Sequence, residues 1–152
     1  MLESLPNIPL FHDLDPVQTS LLKPLFESFV CPPDTVIFEQ GDLASYLYLL
    51  IKGDVAIRYK PYDGPLIILT RLRAGDVFGW SAMIGSRYYT SSILSESQVD
   101  AVRIQGTHFL SLIQEHPETG KIILERFARA VSPRWENVRE QVQSILNSNQ
   151  TK

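Results

Sequence analysis

"VIFEQGDLASYLYLLIKGDVAI", residues 36–57, sets the architecture of this chain. Thr35-Val36-Ile37-Phe38 is a short β-branched and aromatic run that stops at Gln40-Gly41-Asp42. Tyr46 to Ile51 is a second run, closed by Lys52-Gly53-Asp54, and Val55 opens a third that reaches Lys60. Short strand-forming runs cut by Gly and Asp are the pattern of antiparallel hairpins. In the third run Val55, Ile57 and Tyr59 alternate with Ala56, Arg58 and Lys60, which predicts one buried and one wet face.

Outward from this stretch the same rhythm holds from about residue 25 to residue 104. Pro61-Tyr62-Asp63-Gly64-Pro65 turns the chain, Leu66 to Arg71 returns as a partner strand, and Ala74-Gly75-Asp76 turns it again. Tyr89 to Leu94 and Val99 to Ile104 complete about eight strands, as in an antiparallel barrel or sandwich. Upstream, residues 13–23 start a helix: Asp15 caps it, Pro16 fits its first position, and Val17, Leu21 and Leu22 are expected to face inward. Downstream of Gly106 the apolar period turns helical. Thr107 to Glu115 stops before Pro117, and Glu118 to Val131 presents Ile122, Ile123, Leu124 and Phe127 on one side.

Ser132-Pro133 then makes a fresh cap and first turn for a third segment. Trp135, Val138, Val142 and Ile145 follow at spacings of three, four and three, the seam of a short coiled coil. Such a face can pack on its own barrel. The stripe is narrow, between Arg134, Glu136, Asn137, Arg139, Glu140, Gln141 and Gln143, and this favours a two-fold dimer of the chain. The predicted organisation is one domain over 1–152: an N-terminal helical region 1–24, a β-roll 25–104 and C-terminal helices 107–147.

Composition narrows the function. The 152 residues, 44% apolar and 20% charged, suit one globular core. No apolar run approaches the ~20 residues of a membrane span. The first residues carry neither a basic start nor a long apolar centre, so a cytoplasmic protein is expected. A net charge of −3, with 14 basic residues spread along the chain, argues against direct DNA binding. Cys31 is alone and reads as a packed residue. His12, His108 and His116 lie off the predicted strands, so no strand-borne metal set forms, and no cofactor is expected. No Gly-x-Ser-x-Gly elbow is present, and neither Ser81 nor Ser91 has a histidine close in sequence, so no enzyme is expected.

Strands first, helices after, and glycines at set places: the chain resembles the cyclic nucleotide-binding domain family. The matching residues are 36–57, "LRAGDVFGWSAMI" at 72–84 and "YTSS" at 89–92, followed by the terminal helices. Gly41, Gly53 and Gly79, with the Gly-Asp-x-Phe-Gly run at 75–79, are the most diagnostic. The resemblance covers nearly the whole chain and implies a double-stranded β-helix, or jelly-roll, barrel. Within it a cassette around a short helix would hold the ribose and cyclic phosphate. Family members read Phe-Gly-Glu-Leu-Ala-Leu there, then an arginine before small residues. The glutamate bonds the ribose 2′-hydroxyl, the arginine pairs with the phosphate, and backbone N–H groups add an anion nest.

Aligned without gaps on Phe78-Gly79, this chain has Trp80 at the glutamate, Ser81 and Ala82 next, Tyr89 at the arginine, and Thr90 and Ser91 at the small positions. Both polar anchors are absent. A charge-assisted hydrogen bond contributes about 1.5–3 kcal/mol, so losing two weakens a ligand by roughly two to four decades. Arg87 either reaches into the pocket or is a solvated loop cation, and Trp80 either stacks on a base or fills the nucleotide's space. Tyr88 to Ser92 offer hydroxyls, alternate ones facing inward on a strand. The expected ligand set is Phe78, Gly79, Trp80, Ser81, Ala82, Arg87, Tyr89, Thr90 and Ser91.

Two functions follow from the resemblance. One is a stand-alone sensor with altered or weak binding of a cyclic nucleotide or other small anion, its output passing through the C-terminal helices to a dimer or partner protein. The other is a protein-interaction module with a vestigial pocket. A catabolite-activator-type transcription factor would continue into a helix-turn-helix domain, which is not expected after Lys152.

Overall fold

The computed structural model describes residues 8–83 and 86–131. Among the described residues the strands are β1 Phe26–Cys31, β2 Val36–Phe38, β3 Tyr46–Lys52, β4 Val55–Tyr59, β5 Ile67–Leu72, β6 Val77–Phe78, β7 Ser92–Ser95 and β8 Val99–Gln105, and the α-helices are α1 Pro16–Leu22, α2 Gly106–Glu115 and α3 Pro117–Arg129. The strands pair antiparallel in two four-stranded sheets, ordered β1-β8-β3-β6 and β2-β7-β4-β5. This is the jelly roll with flanking helices that the sequence predicts.

The first sheet separates two cores. Leu47, Leu49, Val102 and Ile104 face Phe109, Ile123, Leu124 and Phe127 of the helices. Tyr48, Leu50, Val99 and Ala101 face the roll interior, with Phe38, Ile57, Phe78 and Ile93. Burial on both faces explains why residues 46–51 read as an unbroken apolar run. Cys31 is buried in the roll interior.

The N-terminal segment is tied to α3. Asp15 accepts from Gln18 N at 2.8 Å while Asp15 N donates to Gln18 Oε1 at 3.1 Å, a reciprocal capping box that starts α1. Arg126 Nη1 donates to the Leu10 and His12 carbonyls at 2.9 and 2.6 Å. Phe11 packs edge-on to Phe26 at 5.1 Å, and Phe26 stacks on Phe127 at 6.0 Å.

Three local expectations need correction. Val17 is 69% exposed, because α1 has only seven residues and only its last turn, with buried Leu22, reaches the core. In β4, Ala56 is fully buried and Tyr59 is exposed, against simple alternation. Ala56 sits between the longer side chains of Leu94 and Arg71, whereas Tyr59 pairs with Ile67 beyond the end of β7. Regular pairing of the seventh strand starts at Ser92, so Tyr89 to Ser91 do not alternate as a strand; Tyr88 makes only an isolated bridge to Leu43.

Trp135, Val138, Val142 and Ile145, the predicted seam, lie outside the described residues. Among the described residues no helix is long and apolar enough to cross a membrane.

Candidate functional site

The cassette starts where β6 ends. Gly79 has φ +83°, and a Cβ there would stand 2.6 Å from the Tyr46 carbonyl oxygen, so both the turn and the close approach to β3 require glycine. The 3-10 turn Trp80–Ala82 follows, with Ala82 N donating to Gly79 O at 3.1 Å. On the far side of the loop, Tyr89 N donates to Asp42 O at 2.8 Å and Gly41 N donates to Tyr89 O at 2.9 Å. The hairpin before β3 thereby clamps residue 89.

Tyr89 closes the space between these walls. Its ring stacks on Phe38 at 3.6 Å and 11°. Its hydroxyl donates to Tyr46 O at 2.6 Å and accepts from Tyr46 N at 2.9 Å. Burial pushes the Tyr89 phenol well above its ordinary value of 10.0, and the hydrogen bond it accepts from the Tyr46 backbone N–H only partly offsets this. The phenol is therefore a neutral group that fills the space between these walls.

The remaining cassette cavity, bordered by Phe38, Ile57, Phe78, Ser81, Tyr89 and Ile93, measures about 20 Å³. That is room for roughly one water, whereas small-molecule pockets span about 300–1,000 Å³.

Of the residues expected from sequence, Phe78, Gly79, Trp80, Ser81, Tyr89, Thr90 and Ser91 border this cavity, and Ala82 and Arg87 are not among its walls. Ala82 instead abuts Gly106 at the start of α2. Trp80 is 2% exposed and packs in the helix-side core. It does not fill the roll interior behind the cassette; Tyr89 and Phe38 do. Arg87 is exposed, with its guanidinium 5.8 Å from the centre of the Tyr88 ring. The inward hydroxyl is that of Ser92, buried and accepting from Gln40 N at 2.8 Å.

Sequence reasoning missed a second group, beside the cassette. Arg103 of β8 lies 4.0 Å from the Tyr46 ring centre and 5.2 Å from that of Phe29. Its Nε donates to Glu27 Oε1 at 3.0 Å and its Nη1 to the Tyr48 hydroxyl at 3.4 Å. Burial raises the Tyr48 phenol's pKa, with Arg103 acting in the other direction. Tyr48 in turn stacks on Phe78 at 4.8 Å, so the roll interior carries a continuous aromatic column up to the cassette. The signal was the Tyr46/Tyr48 pair two residues apart, which strand geometry places on one face.

A hydrogen bond connects the cassette to the helices. Val77 of β6 donates to Ala130 O at 3.0 Å and bridges to Val131, just beyond α3. Among the described residues no group of three or more His, Cys, Asp or Glu is placed to hold a metal.

These features have counterparts in known proteins. The family model described as the cyclic nucleotide-binding domain matches residues 29–116. The cAMP-activated global transcriptional regulator CRP of Pasteurella multocida is 32% identical over 115 residues, 75% of this chain and 53% of that protein. The cyclic AMP receptor protein of Thermus thermophilus is 31% identical over 107 residues, 70% of this chain and 46% of that protein. The chain thus spans about half the length of these relatives. A solved cyclic nucleotide-binding protein of Geobacter metallireducens superposes with TM-score 0.71 at 26% identity, covering 84% of this chain and 92% of that one. A match across more than half of the residues, with glycines and cassette in their expected places, makes the assignment: the chain belongs to the cyclic nucleotide-binding domain family.

Proposed function

We propose that this domain is a non-enzymatic, cytoplasmic regulatory module whose cassette binds cyclic nucleotides, or another small anion, far more weakly than the family's usual site. The observation that carries the reading is Tyr89, a neutral phenol held by Tyr46 where a phosphate-pairing arginine would stand. With Trp80 turned into the helix-side core, both anchoring side chains are replaced. The β6 link from Val77 to Ala130 gives the cassette a route to the C-terminal segment. Output then passes through that segment, by a homodimer seam of Trp135, Val138, Val142 and Ile145 or by a partner protein, without direct DNA contact.

Calorimetric titration with cyclic AMP, cyclic GMP and cyclic dinucleotides tests this. Heat is expected only near millimolar ligand, and Tyr89→Arg is expected to tighten cyclic AMP binding by about 10- to 100-fold, the worth of one charge-assisted contact. Micromolar binding by the unaltered chain refutes the reading. The closed cavity of about 20 Å³ favours a second reading, a protein-interaction module that takes no ligand. No heat and no thermal shift at millimolar concentrations selects it.

A further inference from the structure

The second sheet ends in an edge that is apolar and uncovered among the described residues. β5 closes the order β2-β7-β4-β5, and β4 is its one strand partner there. Leu66, Ile67 and Ile68 are 47, 42 and 48% exposed, and Tyr59 and Tyr62 add further exposed apolar surface on the same hairpin. Edge strands of soluble proteins are commonly blunted by charge or proline. Residues 66–70 carry neither. A register shift falls between Ile57 and Arg58, but the pairs Arg58 with Ile68 and Tyr59 with Ile67 are consecutive, so the exposed end of the edge stays regular.

A cation stands beside this edge without a counter-charge. Arg58 lies between Ser92 on β7 and Ile68 on β5, on the face of the sheet opposite Ile57 and the roll interior. Among the described residues its Nε is the one buried side-chain nitrogen or oxygen that has no hydrogen-bond partner. No carboxylate of the described residues pairs with it; Glu96 is taken by Arg71 at 2.9 Å. Residues 55–72 hold three basic side chains, Arg58, Lys60 and Arg71, against the single acid Asp63, in a chain whose net charge is −3. The end of β4 is also fixed: Lys60 N donates to Gln40 Oε1 at 2.8 Å, and Gln40 Nε2 donates to Lys60 O at 3.0 Å. An edge held in this way loses little freedom when another strand pairs with it.

We propose that the β5 edge docks an extended acidic segment of another protein, added as a fifth strand with apolar side chains beside Ile67 and carboxylates on the face of Arg58. The free backbone groups of the edge supply hydrogen bonds, and the alternation of side chains supplies selectivity. A carboxylate on that face gives Arg58 the counter-charge it lacks. A second copy of the chain fits less well, because β5 set against β5 brings no acid to Arg58: residues 64–75 hold none. The proposal goes beyond the ligand reading, since docking is measured away from the cassette and with no nucleotide present.

The test uses the full chain and two fluorescein-labelled hexapeptides, Glu-Val-Glu-Val-Glu-Val and Lys-Val-Lys-Val-Lys-Val, followed by fluorescence anisotropy. The acidic probe is expected to bind saturably, about tenfold or more tighter than the basic one, and to slow hydrogen exchange across residues 66–72. Arg58→Gln is expected to remove most of that preference. Ile68→Ser, at an exposed position, is expected to weaken the acidic probe several-fold with Tm unchanged. No binding at millimolar probe, equal binding of the two probes, or exchange protection that spares β5 overturns the proposal. A dimer seen by light scattering and abolished by Ile68→Glu also overturns it, since a second copy then occupies the edge.

Discussion

Replacing Tyr89 by phenylalanine isolates the plug's hydroxyl. The ring can stay over Phe38 at 3.6 Å, so stacking and volume are kept. What is lost is the pair of bonds to Tyr46, donated at 2.6 Å and accepted at 2.9 Å. A buried polar group left without its partner costs about 1–3 kcal/mol, and two such groups lie on the Tyr46 backbone. One water fits the neighbouring cavity and recovers part of this, so we expect a loss of about 2 kcal/mol. For a domain of this size that lowers Tm by roughly 4–8 °C, and it lowers the urea midpoint with the slope m unchanged. A loss below about 0.5 kcal/mol would show that the Tyr46 contact does not hold the cassette closed.

The pH arm of the experiment has a definite sign. Tyr89 and Tyr48 ionise near 10.0 when unfolded and higher when folded, burial being the main cause in both. Above that pH the unfolded chain loses phenolic protons that the folded chain keeps, so unfolding is favoured as pH rises. Stability from these groups is complete below about pH 10 and falls by up to about 1.4 kcal/mol per pH unit for each tyrosine above it. Tyr89→Phe should flatten the alkaline slope by one tyrosine's share and leave that of Tyr48. An unchanged slope would mean that Tyr89 ionises as freely in the folded state as in the unfolded chain.

Two further substitutions probe the frame and the seam. Gly79→Ala places a Cβ 2.6 Å from Tyr46 O at φ +83°, and an expected loss of about 2–4 kcal/mol in urea denaturation checks whether the glycine is needed for structure alone. Val138→Glu sets a carboxylate into the apolar stripe and is expected to convert a dimer to a monomer by light scattering; unchanged mass refutes that seam.

The roll was legible because its determinants are local and repeated. Glycines at turns, the cap Asp15 with Pro16 behind it, and the unbroken apolar run at 46–51 all leave marks within a few residues. The cassette was legible as a place but not as a state. Trp80 and Tyr89 both read as bulky aromatics in a binding loop, yet Trp80 turns to the helices and Tyr89 to the interior. Which way each turns depends on partners such as Leu47 and Phe38, distant in sequence, and no spacing rule carries that information. The cluster of Arg103 with Glu27, Phe29 and Tyr46 was hidden for the same reason, since its members come from three strands.

The plug also changes what a ligand must do. The frame of turns that normally surrounds a nucleotide is satisfied here from within: a ring fills the volume, and a hydroxyl meets the Tyr46 backbone. Because only about 20 Å³ is left beside Tyr89, a ligand of nucleotide size entering the cassette must first drive Tyr89 out, giving up the stack on Phe38 and both bonds to Tyr46. If that release costs about 2–4 kcal/mol, the open form is populated at roughly one part in 30 to 1,000, and apparent affinity falls by the same factor. This penalty also defines the kind of signal such a domain can give: a ligand that displaces Tyr89 moves the segment that bonds to residues 41–44 and borders β6, and β6 is the strand that holds Ala130 and Val131. The contact that closes the cassette thus lies on the same route proposed to transmit binding, so Tyr89→Phe should weaken the fold and ease ligand admission together.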